Sequence, residues 1–83
     1  MEITPVKRKV LYAWIEKALT AYEELTAHEI AQVLHKAGVV AYPVRDSVQP
    51  RITEMCKLGK VTVCGSKVDE STHKRVSIYK LVE

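Results

Sequence analysis

The chain has 83 residues, 47% of them apolar and 28% charged, with a formal charge of +3. That length suits one domain over residues 1–83 with a modest core, and that apolar content excludes a disordered chain and makes a disulfide scaffold unnecessary. Apolar runs of only a few residues exclude a spanning helix, and Met1-Glu2-Ile3-Thr4-Pro5 lacks the apolar stretch of a signal peptide. An intracellular protein is expected, with Cys56 and Cys64 as reduced thiols.

A first helix is expected from about Pro5 to Leu19. Thr4 supplies an N-cap, and Pro5 suits the first helical position because its missing N–H has no partner there. Val6, Val10, Trp14 and Ala18 form one four-residue ladder, and Leu11, Ile15 and Leu19 an adjacent one. Together they make a wide apolar stripe in which Trp14 is expected to be largely buried. Lys7-Arg8-Lys9 falls near the helix start, where the dipole disfavours cations, and reads as a solvated cluster.

A second helix, Thr26 to Ala37, has the clearest start signal. Thr26-Ala27-His28-Glu29 is a capping box, with Leu25 and Ile30 as its hydrophobic staple. Ile30, Val33, Leu34 and Ala37 give the buried face, and Gly38 follows as C-cap. Pro43 then biases Tyr42 toward an extended backbone, so no continuous helix crosses the connection. His28 and His35 share a face but lie two turns apart, too far to ligate one ion. Cys56 and Cys64 have no Cys-x-x-Cys spacing. No metal and no cofactor is expected.

A third helix begins no earlier than Asp46 or Ser47, either of which can cap it, because Pro50 is tolerated only in a first turn. A 3₁₀ opening serves equally well. Val48, Ile52 and Met55 give its buried face, and Gly59 ends it in a left-handed conformation. The opposite side carries Asp46, Pro50, Thr53, Glu54 and Lys57, with Ser47, Gln49 and Arg51 on the flanks and Arg45 at the N-terminal end. Gln49 can pair bidentately with adenine, Arg45 or Arg51 with guanine, and Thr53 can meet a thymine methyl. Asp46 and Glu54 oppose that use, since an acid repels phosphate.

Beyond Gly59, Val61-Thr62-Val63-Cys64 alternates as a strand, Gly65 opens a polar loop through His73, and Lys74 to Val82 returns as a second strand. The phase of this strand is ambiguous: Tyr79 and Leu81 share one face and Val76 and Ile78 the other, either pair can pack on the helices, and Tyr79 and Leu81 are the favoured core pair. The loop and its flank hold Lys67, Lys74 and Arg75, tempered by Asp69 and Glu70. Residues 1–44 hold five cations and five acids, whereas residues 45–83 hold eight cations and five acids. The whole positive excess therefore falls on the third helix and the strands, as a phosphate-facing surface requires.

Leu25-Thr26-Ala27-His28-Glu29-Ile30-Ala31, Ser47-Val48-Gln49-Pro50-Arg51-Ile52-Thr53-Glu54-Met55, Leu58-Gly59-Lys60-Val61 and Val76-Ser77-Ile78-Tyr79-Lys80-Leu81 stand in the order helix, helix, strand, strand. In this the chain resembles winged helix-turn-helix regulators, MarR-like DNA-binding cores and small phage-encoded proteins among them. The resemblance implies a single α+β domain of three helices followed by a two-stranded β-hairpin wing. It also implies a sequence-specific double-stranded DNA-binding protein, a small transcriptional regulator with its third helix in the major groove and its wing on the backbone or minor groove. The residues expected at DNA are Arg45, Ser47, Gln49, Arg51, Thr53, Lys57, Lys67, Lys74 and Arg75. The long dimerisation helices and effector segment of MarR-type regulators are missing, so no small-molecule effector is expected. A homodimer is expected through Val76 and Ile78 or the outer side of the first helix, because two half-sites give useful specificity. The alternative reading is a winged-helix module that docks protein. No enzyme signature accompanies these motifs, since the three glycines are scattered and no serine has a nucleophile motif around it.

Overall fold

A computed structural model describes residues 8–70 and 72–82. Thr4, Pro5, Val6 and Lys7, expected at the start of the first helix, lie outside the described residues. Within them the chain forms α1 (Arg8–Tyr22), β1 (Leu25–Thr26), α2 (Ala27–Lys36), a 3₁₀ turn at Arg45–Ser47, α3 (Gln49–Lys57), β2 (Val61–Val68) and β3 (Arg75–Leu81). The result is a small α+β fold of three α-helices and one antiparallel sheet with strand order β1-β3-β2. None of these helices is long and apolar enough to cross a membrane.

The sheet has three strands where two were expected. Leu25 pairs with Tyr79 and Thr26 with Ile78, which makes β3 the central strand. Two residues are too few to display strand alternation, and Leu25 and Thr26 are legible instead as a staple and a cap.

Helix α1 continues past Leu19 to Tyr22 and stops where Glu23 turns left-handed at φ 66°. Its buried residues are Leu11, Ile15, Ala18 and Leu19. Val10 is 42% exposed and Trp14 only half-buried, which narrows the expected stripe. At about 100° per residue, Leu11, Ala18 and Leu19 lie within about 60° of Ile15, while Trp14 lies about 100° and Val10 about 140° round the helix. The Trp14 ring instead carries Lys17, whose Nζ is 4.8 Å from the ring centroid.

The capping box of α2 is present. Thr26 Oγ1 accepts from the Glu29 N–H (3.2 Å), and Glu29 Oε1 accepts from the Thr26 N–H (2.9 Å). Ala37 is the C-cap and is exposed, correcting its place on the buried face; it lies past the last helical turn. Gly38 is the next residue, at φ 76°, and Val39 N–H bonds back to Leu34 O (2.9 Å) in a Schellman closure. Helix α3 ends the same way, with Gly59 at φ 77° and Lys60 N–H on Met55 O (2.9 Å).

Neither Asp46 nor Ser47 caps α3. The N-cap is Val48, without a side-chain bond, and Ser47 Oγ donates to Tyr42 O (3.0 Å) instead. The 3₁₀ turn carries the chain into the helix and leaves Pro50 in its first turn, where no N–H is lost. Val48, Ile52 and Met55 are fully buried against Ile15, Ile30, Leu34 and Val61. Tyr79 is buried, Leu81 half-buried and packed on the core, and Val76 and Ile78 are half-buried on the other face.

Gly65 lies inside β2 and does not open the loop. The strand continues to Val68 with every residue after Val61 exposed, so Gly-Ser-Lys carries no buried pattern to read. A bulge at Cys64 separates the pair Val63–Tyr79 from the pair Gly65–Ile78.

Ile15→Ala is expected to cost about 2–5 kcal/mol in urea denaturation, whereas Val10→Ala is expected to change stability by no more than about 0.5 kcal/mol. Equal losses would mean that α1 presents a different face to the core.

Candidate functional site

A groove of about 440 Å³ lies between the start of α2, the 3₁₀ turn with the start of α3, the outer part of β3 and the β2–β3 connection, which adds Asp69, Thr72 and Lys74. Arg45, Gln49, Lys74, Arg75, Tyr79 and His28 are among the residues that line it. Strand period explains the β3 contribution. Arg75, Ser77 and Tyr79 share one face, so a single strand carries a cation at its outer end and a core anchor further in.

Gln49 is the hub of the groove wall. Arg45 Nε donates to Gln49 Oε1 (3.1 Å), and Gln49 Nε2 donates to Thr53 Oγ1 (3.3 Å) and to Tyr79 Oη (3.3 Å). Arg45, Gln49 and Thr53 are spaced four residues apart, the spacing that stacks side chains along one side of a helix. Their row borders β3.

The other flank of α3 turns toward α1. Arg51 Nη2 lies 2.6 Å from Glu54 Oε1, while Glu54 Oε2 accepts from Tyr12 Oη and lies 3.2 Å from Arg8 Nε. The hydrogen bond to Glu54, followed by burial, holds the Tyr12 hydroxyl above its ordinary pKa. Arg51 Nε is buried with no partner among the described residues. The exposed side of α3 is thereby reduced to Pro50, Thr53 and Lys57, with Asp46 just before it.

The hairpin is tied back to α2. Lys67 Nζ donates to Glu29 Oε2 (3.1 Å), the second oxygen of the capping-box carboxylate, and His28 Nδ1 lies 3.4 Å from Asp69 Oδ2. The bulge at Cys64 decides this arrangement. It shifts the register so that Lys67 pairs with Val76 and Val68 with Arg75, placing Lys67 and Arg75 on opposite faces. Without that extra residue the two cations would face each other across the ladder, an unfavourable pair. Arg75 Nη1 donates instead to Ser66 Oγ (3.1 Å) on its own face.

The groove brings together Arg45, Gln49, Lys74 and Arg75 from the expected site, with Thr53 bonded to it through Gln49. Lys57 lies on the exposed side of α3. Ser47 is engaged with the backbone of Tyr42, Arg51 with Glu54, and Lys67 with Glu29. His28, Thr26 and Tyr79 line the groove without having been expected there. Tyr79 reads from its pattern as core alone, although a buried tyrosine hydroxyl ordinarily finds a polar partner.

Burial raises the pKa of the half-buried Cys56 thiol. Cys64 is exposed, and its thiol is raised by desolvation and then by Glu24, whose Oε1 accepts from Sγ (3.1 Å). Neither environment generates a thiolate nucleophile. No cluster of three potential metal ligands occurs among the described residues.

Glu29 supplies a pH dependence with a definite sign. Burial alone pushes its carboxyl up, but the Thr26 N–H bond and Lys67 prevail and hold it below its ordinary value of 4.5. A depressed folded-state pKa contributes stability that is present above the unfolded value and lost as pH falls through the folded one. Thermal melting of the wild type is expected to drop below about pH 4.5 in part through this residue, and Glu29→Gln is expected to flatten that segment of the profile. Superimposable acid limbs would show that the carboxylate does not carry the effect.

Comparison with protein-family models, curated proteins and solved structures found no match to this chain.

Proposed function

We propose that this chain is a winged helix-turn-helix domain that binds double-stranded DNA sequence-specifically and acts as a small transcriptional regulator. The observation that carries the reading is the groove, which is lined together by Arg45 of the 3₁₀ turn before α3, Lys74 of the β2–β3 connection and Arg75 of β3. None of these three forms an ion pair with another described residue. Cations held on two elements across a concave surface suit a phosphate backbone, which supplies most of the affinity, while an adjoining helix reads bases.

On this reading α3 enters the major groove by its N-terminal end, as second helices of such motifs do, and the β2–β3 wing lies along the backbone or minor groove. Arg45 and Thr53 are the base-facing residues, and Lys57, Lys74 and Arg75 meet phosphates. Arg51 and Lys67 reach DNA only by leaving Glu54 and Glu29, so their contribution is smaller. Two copies on half-sites about 34–36 Å apart follow from the limited surface of one module. Sedimentation of the DNA complex with one copy per selected site would remove that part of the reading.

Duplex binding is expected to weaken steeply with salt, with log K falling, per bound copy, at a slope of about −3 for the three phosphates met by Lys57, Lys74 and Arg75. Lys74→Ala and Arg75→Ala are each expected to weaken all sequences alike and to flatten the slope by about one unit. Absence of duplex binding at low salt overturns the proposal. It would favour the alternative, a protein-docking module, for which Tyr42 and Val44 speak: they are 69% and 49% exposed immediately before Arg45.

A further inference from the structure

We propose that Tyr79 and Gln49 are positioning residues that aim the Arg45 guanidinium at a guanine, and that Gln49 itself reads no base. This rests on the DNA-binding reading and deepens it by assigning the specificity of the N-terminal end of α3 to one side chain.

The relay begins in the sheet. Tyr79 sits on the central strand, paired to Leu25 on one side and Val63 on the other, and is 9% exposed as a residue. Its hydroxyl is therefore a fixed reference point. Gln49 has two acceptors for its amide nitrogen, Tyr79 Oη and Thr53 Oγ1, so the nitrogen is held toward them and the oxygen is turned to the other side. There Arg45 Nε–H donates to that oxygen. A flipped amide would set N–H against N–H at Arg45, which can only donate, whereas either hydroxyl can accept from the nitrogen or donate to the oxygen; Arg45 therefore selects the orientation of the amide, and Tyr79 and Thr53 hold its position.

The nitrogen by which Arg45 is held decides its use. Binding through Nε leaves Nη1 and Nη2, which have no partner among the described residues, at the far end of the guanidinium. Those N–H groups form the fork that matches guanine O6 and N7. An arginine on a single 3₁₀ turn, exposed to water, otherwise samples many rotamers and loses that freedom on binding. Tethering one end before DNA arrives reduces the loss. Gln49, with its oxygen and nitrogen both engaged inside the protein, has no edge left to offer adenine.

The test begins with duplexes selected by the wild type from a randomised pool. Anisotropy then compares wild type, Arg45→Ala, Tyr79→Phe, Gln49→Ala and the double variant Arg45→Ala/Tyr79→Phe on the selected duplex, its single-base-pair variants and a random duplex. Nitrogen-15 NMR follows the Arg45 Nε–H in the free protein. Arg45→Ala is expected to lose about tenfold or more discrimination at one G·C pair. Tyr79→Phe and Gln49→Ala are expected to lose about three- to tenfold at the same pair, leaving random-duplex binding and the salt slope unchanged. The double variant is expected to match Arg45→Ala, and the slowly exchanging Arg45 Nε–H to be lost in Tyr79→Phe and in Gln49→Ala.

A purely structural role for the hydroxyl would weaken binding equally with and without Arg45, and that result overturns the inference. So does unaltered discrimination in both Tyr79→Phe and Gln49→Ala, with DNA binding itself left standing. A wild type that selects no duplex removes the functional reading and this inference with it. Gln49 lies at the start of a surface helix, so Gln49→Ala keeps the test open should Tyr79→Phe fold poorly.

Discussion

Thr26 is the residue on which the arrangement of the other elements turns. It is a strand residue paired with Ile78, the N-cap of α2, and 3% exposed. A buried polar residue is tolerable only when its groups are satisfied. Here the Thr26 N–H goes to Glu29 Oε1, and its hydroxyl oxygen accepts from the Glu29 N–H. The same pair of bonds stops the chain from extending β1, starts α2 and fixes its first turn beside β1 at the edge of the sheet. Because Glu29 also holds Lys67, the reach of the hairpin over α2 depends on that capping interaction.

Electrostatics sorts the cations into two groups. Glu29 and Glu54 each hold more than one donor, and they engage Lys67, Arg51 and Arg8 within the protein. What remains on the groove is Arg45, Lys74 and Arg75, against one acid of its lining, Asp69. A net charge of +3 thus understates the local field, since part of the acidic complement is spent against α1 and α2 rather than beside the groove. The bulge at Cys64 belongs to the same sorting. One extra residue in β2 keeps Lys67 off the face that Arg75 occupies.

Tyr79 joins the interior to this surface. Its ring completes the core between the helices and the sheet, and its hydroxyl emerges at the groove to meet Gln49. Rigidity of the central strand is in this way passed through Gln49 at the start of α3 to Arg45, which sits on a single 3₁₀ turn with little support of its own. A site whose groups are braced by the core loses less freedom when a ligand binds.

Local chemistry made much of the fold legible. The capping box, the glycines after α2 and α3, the limit that Pro50 sets on α3, and the core positions Ile15, Ile30, Leu34, Val48 and Ile52 all follow from spacing and backbone preference within a few residues, whereas the packing of the sheet chose the Tyr79 face of β3 over the Val76/Ile78 face. Arg45 and Gln49 are legible as neighbours on one short segment, but only packing brings Lys74 and Arg75 to the same groove. Tertiary contact decided the rest. Trp14 and Val10 fit a helical ladder, but which arc of α1 is covered depends on where α2, α3 and β3 lie. β1 exists only because β3 offers it a partner, and two residues hold no pattern of their own. Whether Arg51 and Lys67 stay free or are neutralised depends on Glu54 and Glu29, three and 38 residues away in the chain. Periodicity reports which face of an element is apolar; it says nothing about which charged side chain on another element comes within reach, because that distance is set by packing.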